Sequence, residues 1–248
     1  MTLRHLASSL GFAAVFGLAT VARAQDSEKP SPPQPKAKAA DEAKKAEAPA
    51  TTDATPKANA EKAGPKLEKA VFAGGCFWCL EAFFERVQGV KQVVSGYTGG
   101  SVSRPSYESV CTGLTGHAEA VAIEYDANVV SYDDLLDIFW ICHDPTTLNR
   151  QGPDEGTQYR SAIFYVNQDQ KLAAEKSYKK VVAAGLYQDP IVTKLVPLEK
   201  FWPAEKYHQG YYRRNANKNP YCQSVIAPKI EELRMKLNAK ARLEPKKK

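Results

Sequence analysis

The chain has 248 residues, a formal charge of +6 and five cysteines. The charge is modest and no basic stripe interleaves with aromatic residues, which argues against nucleic acid as a partner. An odd number of cysteines argues against a purely structural disulfide framework.

Residues 1–24 read as a secretory signal peptide. Arg4 and His5 give a basic start, residues 6–21 are mostly apolar, and Ala22-Arg23-Ala24 fits a small-x-small cleavage site. The apolar run is short for a membrane span. Cleavage is expected after Ala24, leaving a periplasmic or secreted protein. Residues 25–66 are rich in Ala, Lys, Pro and Glu and lack aromatics. Such a stretch cannot bury enough apolar surface to offset its ordering entropy, so a disordered linker is expected. A single folded domain is expected over residues 67–248, ending in the basic tail Lys246-Lys247-Lys248.

Within that domain, residues 69–73 form a short apolar run that predicts a strand. Gly74-Gly75 follows, then Cys76-Phe77-Trp78-Cys79, then apolar residues at 80, 83, 84 and 87, the spacing of one helix face. The glycines supply a tight turn between strand and helix. Cys76 therefore stands at a helix start, where free N–H groups and the helix dipole favour a thiolate. The aromatic pair beside it suits an electrophile that carries a small apolar group.

A strand is expected over residues 90–97 and a helical turn over 106–111. A further strand, residues 118–125, places Glu119, Val121, Ile123 and Tyr125 on one face. Ser131 is a cap for a helix through Cys142. Residues 144–158 form a long polar loop, of a length that is often functional. A strand over 161–166, a charged helix over 168–184, a strand over 191–198 and helices over 204–214 and 226–237 complete the chain. Alternating strands and helices predict a two-layer α/β (α+β) domain with a mixed sheet and packed helices. His117, His143 and His208 are scattered and lack ligand spacing with the cysteines, which favours local hydrogen bonding over a metal site. Cys111 and Cys142 lie on helix faces and read as core residues.

Three separated motifs carry a resemblance: Gly75-Cys76-Phe77-Trp78 after a strand, Thr115-Gly116-His117-Ala118-Glu119 at a strand start, and Gly156-Thr157-Gln158-Tyr159-Arg160-Ser161. Together, and in this order, they resemble the peptide methionine sulfoxide reductases of the A type, from about residue 69 to about residue 229. The resemblance implies a two-layer sandwich of the ferredoxin-like plait type and reduction of methionine-S-sulfoxide, free or in proteins. It also implies no metal or organic cofactor, with a thioredoxin-type reductant as co-substrate; a monomer is expected. Residue by residue, Cys76 matches the nucleophile. Phe77 and Trp78 match the pocket for the substrate methyl group, and Glu119 the acid that serves the sulfoxide oxygen. Tyr107 and Tyr159 match the phenols near that oxygen, and Asp154 the acidic loop residue. Pro153 stands where the family often has Asn before that Asp.

The chemistry asks for these residue types. Oxygen leaves the sulfoxide for the attacking thiolate, giving a sulfenic acid. That oxygen needs a proton, which a carboxylic acid kept neutral by apolar surroundings can supply. A second thiol must then resolve the sulfenic acid. Cys222, in a polar segment that reads as mobile, is favoured over Cys79, which sits at i+3 behind two bulky rings. Two other readings fit parts of the sequence: a thiol–disulfide oxidoreductase using Cys76 and Cys79, and an exported module that binds a metal on thiols.

Overall fold

The computed structural model describes residues 64–243, with side chains to residue 237. The signal-peptide expectation, the linker before residue 64 and the end of the basic tail lie outside the described residues. The chain opens with β1 (Leu67–Ala73), α1 (Phe77–Phe84), β2 (Val90–Thr98), α2 (Tyr107–Cys111), β3 (Ala118–Asp126) and α3 (Tyr132–Cys142). Then follow β4 (Arg150–Gln151), β5 (Asp154–Glu155), a 3₁₀ turn (Thr157–Tyr159), β6 (Ala162–Tyr165) and α4 (Gln168–Ala183). The last elements are β7 (Lys194–Pro197), β8 (Phe201–Pro203), α5 (Tyr211–Asn215), a π-helical turn (Cys222–Ile226) and α6 (Ala227–Leu243).

Six strands form one mixed sheet in the order β7-β6-β1-β3-β2-β8. All neighbours are antiparallel except β6 and β7. β3 lies in the interior of the sheet, and its alternation decides both faces. Val121, Ile123 and Tyr125 share a core with Phe72, Ile163 and side chains of α1, α3, α4 and α6. Ala118 and Ala120 point the other way, into a smaller cluster with Val71, Ala73, Ala162 and Phe164, against which Phe201 and Leu198 pack. Glu119 is on the helix-facing side with Val121, at a register position opposite Tyr97 of β2. The sheet therefore delivers one carboxyl group directly to the layer that carries Cys76.

The cap expected at Ser131 is present, and a second stands at Asn167. Ser131 accepts from the Asp134 N–H at 3.1 Å while Asp134 accepts from the Ser131 N–H at 3.0 Å, a reciprocal capping box. Asn167 caps α4 through the Gln170 N–H at 2.8 Å. The polar loop expected over residues 144–158 contains the β4–β5 hairpin, turned by Gly152 (φ 61) and Pro153. Pro153 fits because this turn position needs no donor and the ring fixes its φ.

Two expected elements are shorter than the sequence reading has them, and β8 stands where no element was expected. The strand expected over 191–198 is limited to β7. The helix expected over 204–214 is mostly turn, with only α5 at its end. Its polar side chains bond outward rather than along a helix. Gln209 accepts from the Ser95 N–H at 3.0 Å and donates to the Ser95 carbonyl at 2.9 Å, so a side chain continues the pairing of β2. Gly210 then takes a left-handed φ of 58, where a side chain would be strained.

Candidate active site

Gly75, at φ 89, makes the turn from β1 into α1, and a Cβ there would meet the Gln151 side chain at 2.5 Å. Gln151 in turn bonds both the N–H (3.2 Å) and the carbonyl (3.0 Å) of Asp144. The long loop is thereby seated on the turn that presents Cys76. Cys76 is the N-cap residue of α1, with extended backbone (φ −61, ψ 123), and its carbonyl accepts from the Cys79 N–H at 3.0 Å. The sulfur stands at the positive end of the helix, and the residue is 1 % exposed.

Cys79 occupies the third position of the helix, from which a side chain reaches back to the N-cap. Its thiol hydrogen-bonds Cys76, and this bond, with burial and the neighbouring Cys76 charge, pushes the Cys79 thiol well above its ordinary value. Cys79 thus stands in contact with Cys76 and is not a side chain lost behind the aromatic pair. Cys222 is 0 % exposed. Burial and then the Cys76 charge push its thiol up to about 11, so it lies within electrostatic reach of Cys76. Cys222 is therefore buried, although its segment is polar in sequence. Asn219 accepts from the Tyr221 N–H at 2.8 Å and donates to the Tyr211 hydroxyl at 2.8 Å, and Cys222 opens a π-helical turn whose Ile226 is also buried. Cys142 is buried as expected, but Cys111 is exposed on α2, because that helix turns Tyr107 and Val110 inward.

Glu119 is fully buried, and its Oε2 accepts from the Phe77 N–H at 3.0 Å. The carboxyl group is therefore pinned to the residue that follows Cys76.

An aromatic wall stands beside this pair. Trp78 lies parallel to Tyr211, with ring centroids 3.7 Å apart and planes 6° apart, and Tyr221 meets it edge-on at 6.1 Å. The Trp78 indole N–H donates to His208 Nδ1 at 3.0 Å. Phe77 packs against His208 (4.9 Å), Tyr97 (5.8 Å) and Tyr107 (6.5 Å). Tyr221 donates its hydroxyl to Asp154 at 2.6 Å, and burial followed by the Cys76 and Cys79 charges raises its phenol far above the ordinary range. Asp154 thus meets the thiols through Tyr221. Tyr159 is buried on the 3₁₀ turn, which packs against β3.

A family model described as peptide methionine sulfoxide reductase matches residues 68–242. The chain belongs to the peptide methionine sulfoxide reductase family. Peptide methionine sulfoxide reductase MsrA of Nautilia profundicola is 57 % identical over 166 residues, covering 67 % of this chain and 94 % of that protein. MsrA of Deinococcus radiodurans is 49 % identical over 179 residues, covering 72 % and 86 %. Among solved structures, Mxr1 from Saccharomyces cerevisiae in reduced form has a TM-score of 0.59 at 32 % identity and covers 64 % of this chain and 91 % of that one. Methionine sulfoxide reductase A of Corynebacterium diphtheriae has a TM-score of 0.57 at 35 % identity, with 64 % and 80 % covered.

As a member of this reductase family the chain is an oxidoreductase. The structure gathers Cys76, Phe77, Trp78, Tyr107 and Glu119 around one helix start. Asp154 and Cys222 join through Tyr221 and through the Cys76 charge. Sequence reasoning missed Glu81, Tyr97, Glu205, Tyr211 and Tyr221, and it underrated His208. His117 and His143 do bond locally: His117 takes the Gly100 N–H (3.1 Å) and meets the Val102 carbonyl (2.7 Å), while His143 bridges Phe139 and Ser161. His208 instead reaches a residue 130 positions away. The four tyrosines over residues 204–221, with Glu205 and His208, were the available signal, hidden by reading residues 204–214 as a helix. Among the described residues no group of three or more His, Cys, Asp or Glu side chains is arranged to hold a metal ion.

Proposed function

We propose that this chain reduces the S epimer of methionine sulfoxide, free and in proteins, with Cys76 as nucleophile and Glu119 as acid. The observation that carries the reading is the Glu119–Phe77 hydrogen bond, which ties a fully buried carboxyl group to the residue after Cys76. The Cys76 sulfur attacks the sulfoxide sulfur. Glu119 supplies a proton to the oxygen as the S–O bond to substrate weakens, aided by the phenols of Tyr107 and Tyr159. The oxygen, with that proton, then bonds to the Cys76 sulfur as the transient bond between the two sulfurs breaks; methionine leaves with the electron pair, and Cys76 is oxidised to a sulfenic acid. Phe77 and Trp78 receive the methyl group, and Asp154 with Tyr221 borders the opposite side.

Cys222 then attacks the sulfenic sulfur, releasing water and leaving a Cys76–Cys222 disulfide. The Cys76 charge is one of the causes that raise the Cys222 thiol. Conversion of Cys76 to a neutral sulfenic acid removes that cause, so Cys222 gains thiolate character when it is needed. A thioredoxin-type dithiol restores both thiols, and no metal or organic cofactor takes part. The Cys79–Cys76 hydrogen bond favours a second reading of recycling, with Cys79 as the resolving thiol. The order β6-β1-β3-β2, with all neighbours antiparallel and α1 and α3 in the helical layer, supports the ferredoxin-like plait as the core of the fold. Export after cleavage behind Ala24, a linker before residue 67 and a monomeric state complete the reading.

The experiment compares reduction of methionine-S-sulfoxide with insulin-disulfide reduction, both with dithiothreitol. Turnover of the S epimer is expected, with little on insulin. Activity on insulin alone would overturn the reading.

A further inference from the structure

Glu205 lies outside the catalytic set assigned above, yet its carboxylate joins three parts of the site. Oε1 accepts from the Tyr107 N–H at 2.9 Å, the first N–H of α2. A helix of five residues has few bonds of its own, and its opening N–H groups need outside acceptors. Oε2 accepts from the Tyr97 hydroxyl at 2.9 Å and lies 3.8 Å from His208 Nε2. The other ring nitrogen of His208 accepts from Trp78. One side chain in the turn after β8 therefore touches the start of α2, the strand position opposite Glu119, and the histidine that holds the pocket indole.

The geometry points to Glu205 as a positioning residue that fixes the Tyr107 phenol and the Trp78 indole relative to Cys76 and Glu119. The inference rests on the role given above to Tyr107. The bond holds the Tyr107 backbone at the start of α2, the point from which its ring is carried into the site. Tyr107 also packs against His208 at 4.6 Å, so both ends of the carboxylate control the same ring. Burial, and then the adjacent Glu205 charge, raise the Tyr97 phenol far above its ordinary range, which keeps it a donor to Glu205 throughout the working pH range. A two-donor clamp on one carboxylate is stiffer than either bond alone, because each restricts the rotamer the other needs. The side chain is one-third exposed, so its replacement leaves no buried charge unpaired.

The test is single-turnover methionine formation from methionine-S-sulfoxide by the full chain, with Glu205→Ala, Glu205→Gln, Tyr97→Phe and Tyr107→Phe. A misplacement on the order of 1 Å costs up to about 100-fold, so Glu205→Ala is expected to lower the maximal rate ~10–100-fold. KM for the small substrate should change by less than about 3-fold. Glu205→Gln keeps an acceptor oxygen and should recover most of the rate, and Tyr97→Phe, which only deletes one donor, should show an intermediate loss. A merely structural role would lower thermal stability in step with activity and would not be rescued by Gln. If Tyr107→Phe is slow while Glu205→Ala and Tyr97→Phe both stay within about twofold of wild type, Glu205 is not a positioning residue. If Tyr107→Phe itself is unaffected, the role of Tyr107 falls instead. Should Glu205→Ala fail to fold, Tyr97→Phe decides, and a wild-type rate in that variant would overturn the inference.

Discussion

Glu119 and Phe77 are 42 positions apart in the chain, and a 3.0 Å bond from the Phe77 N–H to Glu119 Oε2 joins them. The bond crosses from the middle of the sheet to the first turn of α1. It sets the carboxyl group at the residue next to Cys76, so acid and nucleophile move as one unit. Glu119→Gln keeps an acceptor for that N–H and removes the acidic proton. Substrate binding should persist, and the single-turnover rate should fall roughly 10²–10⁴-fold, the usual contribution of general acid catalysis. An unchanged rate of methionine release would take Glu119 out of the mechanism.

Glu81 offers a test in the pH dependence of stability. It is buried on α1 and accepts from the Gly210 N–H (2.8 Å) and the Tyr211 N–H (3.2 Å). Burial pushes its carboxyl up to about 7, against the pull of those two bonds. Between its ordinary unfolded value near 4.3 and about 7, the folded state holds more proton than the unfolded state. Stability therefore falls as pH rises through that window and levels off above it. Glu81→Gln should flatten this slope, improving relative to wild type by on the order of 2–3 kcal/mol between pH 5 and pH 8 in urea unfolding. Parallel profiles would contradict the assignment.

The parallel stack of Tyr211 on Trp78 bears on substrate affinity. Tyr211→Leu retains apolar volume but loses the ring pair. Aromatic pairs contribute about 0.5–1.5 kcal/mol beyond their area, so KM for methionine-S-sulfoxide should rise roughly 2- to 10-fold with little change in the maximal rate. A fall in maximal rate at constant KM would mean that the stack serves chemistry instead of binding.

Recycling separates the two candidate thiols. After one equivalent of substrate without reductant, peptide mapping should find Cys76 linked to Cys222. Cys222→Ser should release one methionine per enzyme and then stall with a thioredoxin-type reductant. A dominant Cys76–Cys79 linkage, with full cycling of Cys222→Ser, would assign recycling to Cys79. The structure narrows the argument that the sequence supported: Cys222 is buried and feels the Cys76 charge, and Cys79 is in hydrogen-bond contact with Cys76.

What was legible in the sequence followed local rules. Gly75 before Cys76, the period of the helix that follows, the alternation around Glu119 and the Ser131 cap each depend on neighbours within a few positions. Each element appears in the structure close to where it was expected. The stretch 204–214 was misread for the opposite reason. Gln209, Glu205 and His208 bond to Ser95, Tyr97, Tyr107 and Trp78, so their conformation is set by partners about 100 residues or more away. Periodicity carries no record of such bonds. The same holds for Cys222, whose polar neighbours suggested exposure while Asn219 and the π-helical turn bury it.

The central claim is that oxygen passes from substrate to the Cys76 sulfur. The most direct measurement uses the Cys79→Ser, Cys222→Ser double variant, in which neither candidate thiol can resolve the product. It is given one equivalent of methionine-S-sulfoxide with a sulfenic-acid-trapping dione, followed by peptide mass mapping. One methionine should form per enzyme, with the dione adduct on Cys76 and with neither product when Cys76→Ser is added. Methionine release that survives Cys76→Ser, or an adduct confined to Cys111 or Cys142, would contradict the account.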